Sequence, residues 1–445
     1  VSYPTTISGW GRFPVTKTRE SRIRSAGDAR AALDKPGNVL ARGLGRSYGD
    51  ASLSPAILST LSLNRMLAFN EKTGLLRCEA GVSLDEILDV FVPRGWFLPV
   101  TPGTRFVTIG GAIASDVHGK NHHVSGSFCD HVSSLKLMTA DGRVKSCSPR
   151  KNTALFRATC GGNGLTGIIL EASVRLIPVE TAFIRQTAIK AANLDELTAQ
   201  FTIHKAATYS VAWIDCLAKG DVMGRGILFA GEHAEMNEVK TKNPLILKPD
   251  RMIPVPFSFP AFTLNPLTVR LFNNSYFNLA ARKPGPSLVN YRSFFYPLDK
   301  VANWNRIYGS RGFVQYQFVL PESAGVEGLK RILKKIVVAG TGSFLAVLKQ
   351  FGKGNANILS FPMAGWTLAL DFPAKPAVFQ LLSKLDAEIS EMGGRIYLTK
   401  DSRMSAETFR KGYGEKLNAF MKTKGETDPD NRFASLQSKR LEITP

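Results

Sequence analysis

Three glycine clusters carry the first chemical signal. Gly43, Gly45 and Gly49 fall within RGLGRSYGD (42–50), Gly103, Gly110 and Gly111 within PGTRFVTIGGAIASDVHGKNHH (102–123), and Gly161, Gly162, Gly164 and Gly167 within GGNGLTG (161–167). Glycine admits positive φ and lets backbone N–H groups converge on an anion. One such cluster reads equally as a pair of tight turns. Three of them, each after a predicted strand, point to loops meeting on one large ligand with the extent of a dinucleotide cofactor. The first cluster is not a P-loop, which needs Lys-Ser/Thr after its last glycine. Nor is it GxGxxG, because position 48 is Tyr48 and no predicted helix begins there.

Further candidates lie outside the glycines. His118, His122 and His123 invite a metal reading, but only Asp116 stands near ligand spacing, and Gly119 disfavours the helix that an i, i+4 pair needs. No metal is expected. Lys400, followed by Asp401 and Arg403, reads either as a solvated charged turn or as a cation at an anionic centre. In FVQYQF, Gln315 and Gln317 share one strand face with Tyr316 opposite. Two amides on an apolar strand need partners, and a polar ligand or a structural network would serve.

These residues need elements to hold them. Ala26–Leu33 reads as a short helix, 38–41 as a strand running into RGLGRSYGD, and 56–63 and 75–82 as further strands. Ser83 with Glu86 forms a predicted capping box for a helix to Phe91, with Leu84, Ile87, Leu88 and Phe91 on one face. Asp141-Gly142 marks a hairpin. GGAIASD reads as a turn before His118. Glycine clusters stop near 180, so a second, α+β domain is expected from there. Residues 244–286, with Pro244, Pro249, Pro254, Pro256, Pro260 and Pro266 among apolar residues, read as a long loop, because Pro removes a backbone donor. Val326–Val338 reads as a basic amphipathic helix, and 393–403 (GGRIYLTKDSR) as a compact return.

Composition limits the class. The chain has 445 residues, 44% of them hydrophobic, which suits about three ordinary domains or two large ones and excludes a disordered or collagen-like chain. No apolar run reaches the length of a transmembrane helix. Val1–Arg12 lacks the order of a signal peptide, so a soluble or membrane-peripheral protein is expected, with the side of the membrane left open. Five cysteines, an odd number without CxxC spacing, read as buried thiols in a reducing compartment. The net charge is +21, with 22 basic and 13 acidic residues in 1–178 and the rest of the excess beyond. That even spread excludes a basic nucleic-acid arm. It leaves a solvated basic surface, an anionic membrane face or a phosphorylated substrate as its meaning.

RGLGRSYGD, PGTRFVTIGGAIASDVHGKNHH, GGNGLTG and YLTKDSR together resemble the FAD-linked oxidases of the vanillyl-alcohol oxidase superfamily. Within it the chain resembles the family of flavoprotein subunits of decaprenylphosphoryl-ribose 2′-epimerases. DVHGKNHH and YLTKDSR carry the narrower likeness, and the resemblance runs from Gly9-Trp10-Gly11-Arg12 to Phe433-Ala434-Ser435. It implies an α+β, two-domain, PCMH-type FAD-binding fold: 1–178 for FAD, 179–394 as a substrate domain on an antiparallel sheet, and 395–445 completing the first. It implies cofactor contacts from Arg42, Gly43, Leu44, Gly45, Arg46, Ser47 and Tyr48, then Pro102, Gly103, Thr104, Thr108, Gly110, Gly111, Ala112, Ser115, His118, Gly119 and Asn121. Gly162, Gly164, Gly167, Ile168 and Tyr397 complete that set. Lys400 and His118 would act at the reacting centre, with Trp213, Gln315, Gln317, Lys349, Phe351, Thr367 and Ala369 around the substrate. His118 would serve as general base or position the sugar hydroxyl; Lys400 would stabilise developing negative charge.

The implied activity is oxidation of the 2-hydroxyl of a polyprenyl-phosphoryl ribofuranose, the first half of ribose-to-arabinose epimerisation for cell-wall arabinan. An NAD(P)H-dependent short-chain reductase would finish it, and the membrane would be met peripherally, near residues 244–286. A sugar or aldonolactone oxidase with a soluble substrate is the alternative; a nucleic-acid binder has charge alone in its favour. Four positions depart from the pattern of the family or of the wider superfamily. Arg46 replaces the His that carries covalent FAD in many superfamily members, so non-covalent FAD is expected. Ala369 and Thr367 replace a pocket Cys and Asn, which leaves cysteine-directed inhibitors no thiol, and Phe295 stands at a pocket Tyr.

Overall fold

The computed structural model describes residues 2–260, 263–280, 285–414 and 416–445. Two small sheets and one large one organise them. The first sheet runs in the order Ser2–Ser8, Val15–Arg22, Ala56–Ser59, Leu40–Arg42, with parallel pairing at the last two contacts. The second is antiparallel: Met66–Asn70, Leu75–Glu79, Ile168–Arg175, Val132–Met138, Val144–Cys147. The hairpin at Asp141-Gly142 joins its last two strands, with Gly142 at φ 72°.

The expected helix forms at Leu84–Phe91. Ser83 Oγ accepts from the Glu86 amide at 3.1 Å, and the Glu86 carboxylate accepts from the Ser83 amide at 2.7 Å. Leu84, Ile87, Leu88 and Phe91 are buried on its inner face, while Val90 is exposed. The amide of Leu84 donates to Val107 O and that of Ile109 to Val82 O, which fixes where the second glycine cluster begins. There the structure departs from the sequence reading. Ile109–Ala114 is a six-residue helix rather than a turn, capped by Thr108 Oγ1 on the Gly111 amide at 3.1 Å.

The large sheet has eight antiparallel strands in the order Pro286–Asn290, Phe183–Ala191, Gly226–His233, Tyr209–Ile214, Ala346–Phe351, Gly365–Pro373, Phe313–Pro321, Arg395–Ile396. Leu194–Ile203, Gly325–Ala339 and Pro376–Glu391 cover one face, burying Phe201, Leu329, Ile332 and Leu385 against Val314, Tyr316, Phe318 and Leu368. Each such side chain is worth roughly 1.5–3 kcal/mol. Strand alternation sends Gln315 and Gln317 to the opposite face.

The proline-rich stretch is not wholly a loop. Pro266–Leu279 is a helix of 14 residues. Pro266 occupies its first turn, where the missing N–H has no intrahelical partner to lose, and Asn265 Oδ1 caps the amides of Leu267 and Thr268. Residues 261–262 and 281–284 of that stretch lie outside the described residues.

After Ile396 the chain returns to the first sheets. Tyr48 N donates to Thr399 O, Val39 N to Arg432 O, Leu436 N to Leu53 O, and the buried Lys424 ammonium to Leu165 O. Arg395–Ile396 itself still pairs in the large sheet.

Candidate active site

A cavity of about 470 Å³ lies between the glycine loops and the open face of the large sheet. Its wall brings together Arg42 to Tyr48, Pro102, Gly103, Thr104, Thr108, Gly110, Gly111, Ser115, His118 and Gly119, with Gly164, Gly167, Tyr397 and Lys400. From the substrate side come Trp213, Gln315, Gln317, Lys349 and Ala369. Phe295 also reaches the wall.

Six expected residues stand off it. Ala112 faces the core from the far side of its helix. Ile168 is buried in the core, and its neighbour Ile169 lines the cavity instead, since adjacent strand residues point oppositely. Gly162 packs on Ala158 O and the Phe420 ring. Asn121 turns away to donate to Pro99 O at 2.8 Å. Thr367 and Phe351 sit one layer behind: the Gln317 amide covers the hydroxyl of Thr367 at 3.3 Å, and the His118 ring lies 4.8 Å from Phe351. Sequence reading missed Lys120, Asn163 and Tyr276 on the wall. Tyr276 was hidden by the loop assignment of 244–286.

The first glycine loop is shaped by close approach. A Cβ on Gly49 would fall 1.8 Å from Asp401 O, and Gly45 sits at φ 65°. Arg42 donates to Ser8 O at 2.8 Å and Ser52 O at 2.9 Å, pinning the loop to the edge of the sheet. Arg46 stacks on Trp10 at 3.8 Å, with Phe106 at 5.3 Å.

Lys400 is held from both sides. Asp401 accepts from the amides of Arg403 and Met404 and from Arg440, and Arg440 also clasps Asp50 at 2.8 Å. The terminal helix thus fastens YLTKDSR to RGLGRSYGD. The Lys400 ammonium lies 3.7 Å over the Tyr48 ring, a cation–π contact. Burial lowers its pKa, opposed by the charge of Asp371 and reinforced by Lys349. Asp371 is fully buried and its pKa is raised by burial, while hydrogen bonds from Gln315 (2.6 Å) and Tyr308 (3.1 Å) and the charge of Lys400 oppose that shift.

His118 differs from the expected near-neutral base. Burial, then the charges of Lys349, His122 and Lys400, push its pKa well below the usual range, so it is neutral at physiological pH. The Gln317 amide nitrogen meets His118 Nε2 at 2.9 Å, which assigns the proton to Nδ1. Nδ1 is buried without a partner. Both glutamines are therefore committed to a polar network and still line the cavity. Among the described residues no cluster of three His, Cys, Asp or Glu is placed to hold a metal. All five cysteines are free and buried, and Ala369 leaves the wall without a thiol.

The residues present fit FAD. Three glycine loops border the cavity, arginines flank the first of them, and an unpartnered donor on His118 awaits an acceptor. Fold and site together define an FAD-dependent oxidoreductase with an α+β, PCMH-type fold. Residues 28–148 match the family described as FAD binding domain. The chain is 40% identical to the decaprenylphosphoryl-β-D-ribose oxidase of Mycolicibacterium smegmatis over 460 aligned residues, covering 99% of each chain. It is 32% identical over 372 residues, 81% of its length and all of the other, to an uncharacterized protein in the mprA 5′ region of Streptomyces coelicolor. It is 28% identical over 142 residues, 32% of its length and 27% of the other, to human Δ(24)-sterol reductase. The chain belongs to the decaprenylphosphoryl-β-D-ribose oxidase family.

Proposed function

We propose that this protein oxidises the 2-hydroxyl of a polyprenyl-phosphoryl ribofuranose to the ketone. The observation that carries this reading is the buried Lys400–Asp371 pair beside His118 and the two glutamines, in a chain alike over its whole length to an oxidase named for such a substrate. Bound FAD, held without a covalent bond since Arg46 stands at the attachment position, supplies the hydride acceptor. The chain's own groups handle the proton. Lys400, its pKa lowered by burial, is placed to take the hydroxyl proton, and its ammonium would then stand where it could balance negative charge on bound FAD. His118 Nδ1–H serves as a hydrogen-bond donor that orients the sugar or cofactor rather than as a base. Gln315 and Gln317 hold these partners in place.

A ketone is half of an epimerisation. The chain carries no nicotinamide motif, so an NAD(P)H-dependent short-chain reductase is the partner this reading requires. The lipid-linked substrate also calls for peripheral contact with a membrane. Among the described residues no helix is long and apolar enough to cross one.

Anaerobic mixing of the yellow holoenzyme with polyprenyl-phosphoryl ribose tests the function. Loss of flavin absorbance within a catalytic time is expected. An unbleached flavin, with steady oxygen consumption on a soluble sugar or aldonolactone, would overturn the lipid-linked reading in favour of a soluble-substrate oxidase.

A further inference from the structure

Three lysines line the cavity with no carboxylate in ion-pair contact among the described residues: Lys120, Lys349 and Lys400. Lys400 has Asp371 nearby and a place in the proton transfer. The other two have no such role. Both are partly buried and line the cavity. An enclosed cation without an anion is unfavourable by several kcal/mol, so two on one wall call for an explanation.

Their setting supplies one. Lys120 follows DVHG, and its carbonyl accepts from the Ser210 amide at 2.8 Å, where the second cluster meets the large sheet. Its ammonium donates to Phe294 O and lies 4.3 Å over the Phe294 ring, leaving further donors free. Lys349 projects from Ala346–Phe351 directly across from Thr367, with its ammonium 5.7 Å from the Phe351 ring. His118 packs on the same Phe351 ring at 4.8 Å, which sets Lys349 beside the reacting centre.

We propose that Lys120 and Lys349 form the subsite for the substrate's phosphodiester anion, Lys349 on the side of the reacting carbon and Lys120 on the side of the lipid. This rests on the lipid-linked reading above. In a pentose joined to phosphate at C1, phosphorus is three bonds from C2, so the anion must sit beside the group that handles the C2 hydroxyl. The place of Lys349 beside the Phe351 ring that His118 also meets satisfies that demand. The flavin pyrophosphate would be held by the backbone of RGLGRSYGD, a different element from those that carry Lys120 and Lys349. Before an anion arrives, burial holds Lys349 down at about 8, and burial with the charge of Lys349 holds Lys120 down at about 7. A phosphodiester raises both values, so binding near pH 8 takes up protons.

The test uses the FAD-loaded enzyme and Lys120→Gln, Lys349→Gln and Lys349→Arg. Binding of a sugar-free polyprenyl phosphate is followed by the flavin difference spectrum, and reduction by polyprenyl-phosphoryl ribose by anaerobic stopped flow. Each Gln variant is expected to keep its flavin and raise both dissociation constants tenfold or more, with most of the loss in binding rather than in the limiting reduction rate. Lys349→Arg should recover part of it. Calorimetry of the unmodified enzyme in two buffers should show proton uptake at pH 8, with inorganic phosphate as a weak competitor. Dissociation constants within twofold of the parent, absent proton uptake, or flavin loss with unchanged phosphate binding would each overturn the subsite; the last would assign the lysines to the cofactor. If a Gln variant fails to fold, the proton-uptake measurement decides alone. An unreduced flavin in the parent enzyme would instead remove the lipid-linked reading itself.

Discussion

Lys400 and Asp371 show how one buried pair sets the working pH of a site. Apart, each would be driven to its neutral form by desolvation; together each holds the other partly charged. Lys400→Ala removes the proposed proton acceptor but no part of the glycine loops. It should retain FAD, measured by absorbance after gel filtration, and slow flavin reduction by substrate about 10²–10³-fold, the scale of a lost transition-state contact. Near-normal reduction would take Lys400 out of the chemistry. Asp371→Asn acts more subtly. Asp371 raises the lysine's pKa, so its loss lowers that pKa further. Activity that needs the amine is lost as pH falls through the lysine's pKa, so this acidic limb should move to lower pH in Asp371→Asn. An unmoved or upward-moved limb in the pH profile of flavin reduction would refute the coupling. Gln315 and Tyr308 donate to the same carboxylate. The variant therefore also tests whether those donors tolerate an amide.

Elements place these residues, and some placements were readable in the sequence. The Ser83 box, the Asp141-Gly142 hairpin and the alternation in FVQYQF were legible because each is decided within a few residues. The meeting of three glycine loops was legible from residue type, since close approach of the kind seen at Gly49 excludes any side chain. The identity of Ile169 over Ile168 was not, because a one-residue slip reverses a strand's faces and nothing local fixes it. The helix Pro266–Leu279 was missed because prolines were weighed as breakers, though Pro266 stands where a helix accepts one. The network behind Lys400 was also invisible, since Asp50, Asp401 and Arg440 are far apart in the chain. It yields a prediction of its own. Arg440→Met would leave two buried carboxylates facing each other and unfasten YLTKDSR from the first loop. A stability loss on the order of 3 kcal/mol is expected, seen as a lower melting temperature together with weaker FAD retention. A variant with lowered melting temperature and full flavin affinity would show that the terminal helix does not help hold the cofactor loop.

For the whole molecule, the net charge of +21 has to be weighed with where apolar surface lies. Scattered exposed apolar residues need no explanation, but their concentration does. Of 21 large hydrophobic residues exposed among the described ones, nine fall between Ile246 and Leu288, among them Ile253, Phe257, Leu267 and Leu271. Residues 244–286 carry five basic residues and one acidic, and Lys248, Arg251 and Arg270 are exposed there. The helix Pro266–Leu279 has no acidic residue; Tyr276 lines the cavity beside Trp213 at 4.8 Å, while Leu267 and Leu271 face solvent. One element thus borders the site and presents an apolar, basic surface, the pattern of a segment that lies in a lipid interface. The protein should co-sediment with vesicles containing anionic lipid more than with neutral ones. Added salt should weaken that binding, because the electrostatic part is screened within about 8 Å at physiological ionic strength. Leu267→Asp with Leu271→Asp should reduce it severalfold at every salt concentration, since salt does not replace lost apolar contact. The same double variant should still bleach with a detergent-dispersed substrate, which separates delivery from chemistry. Equal sedimentation of parent and variant on anionic vesicles would place the membrane-facing surface elsewhere on the molecule.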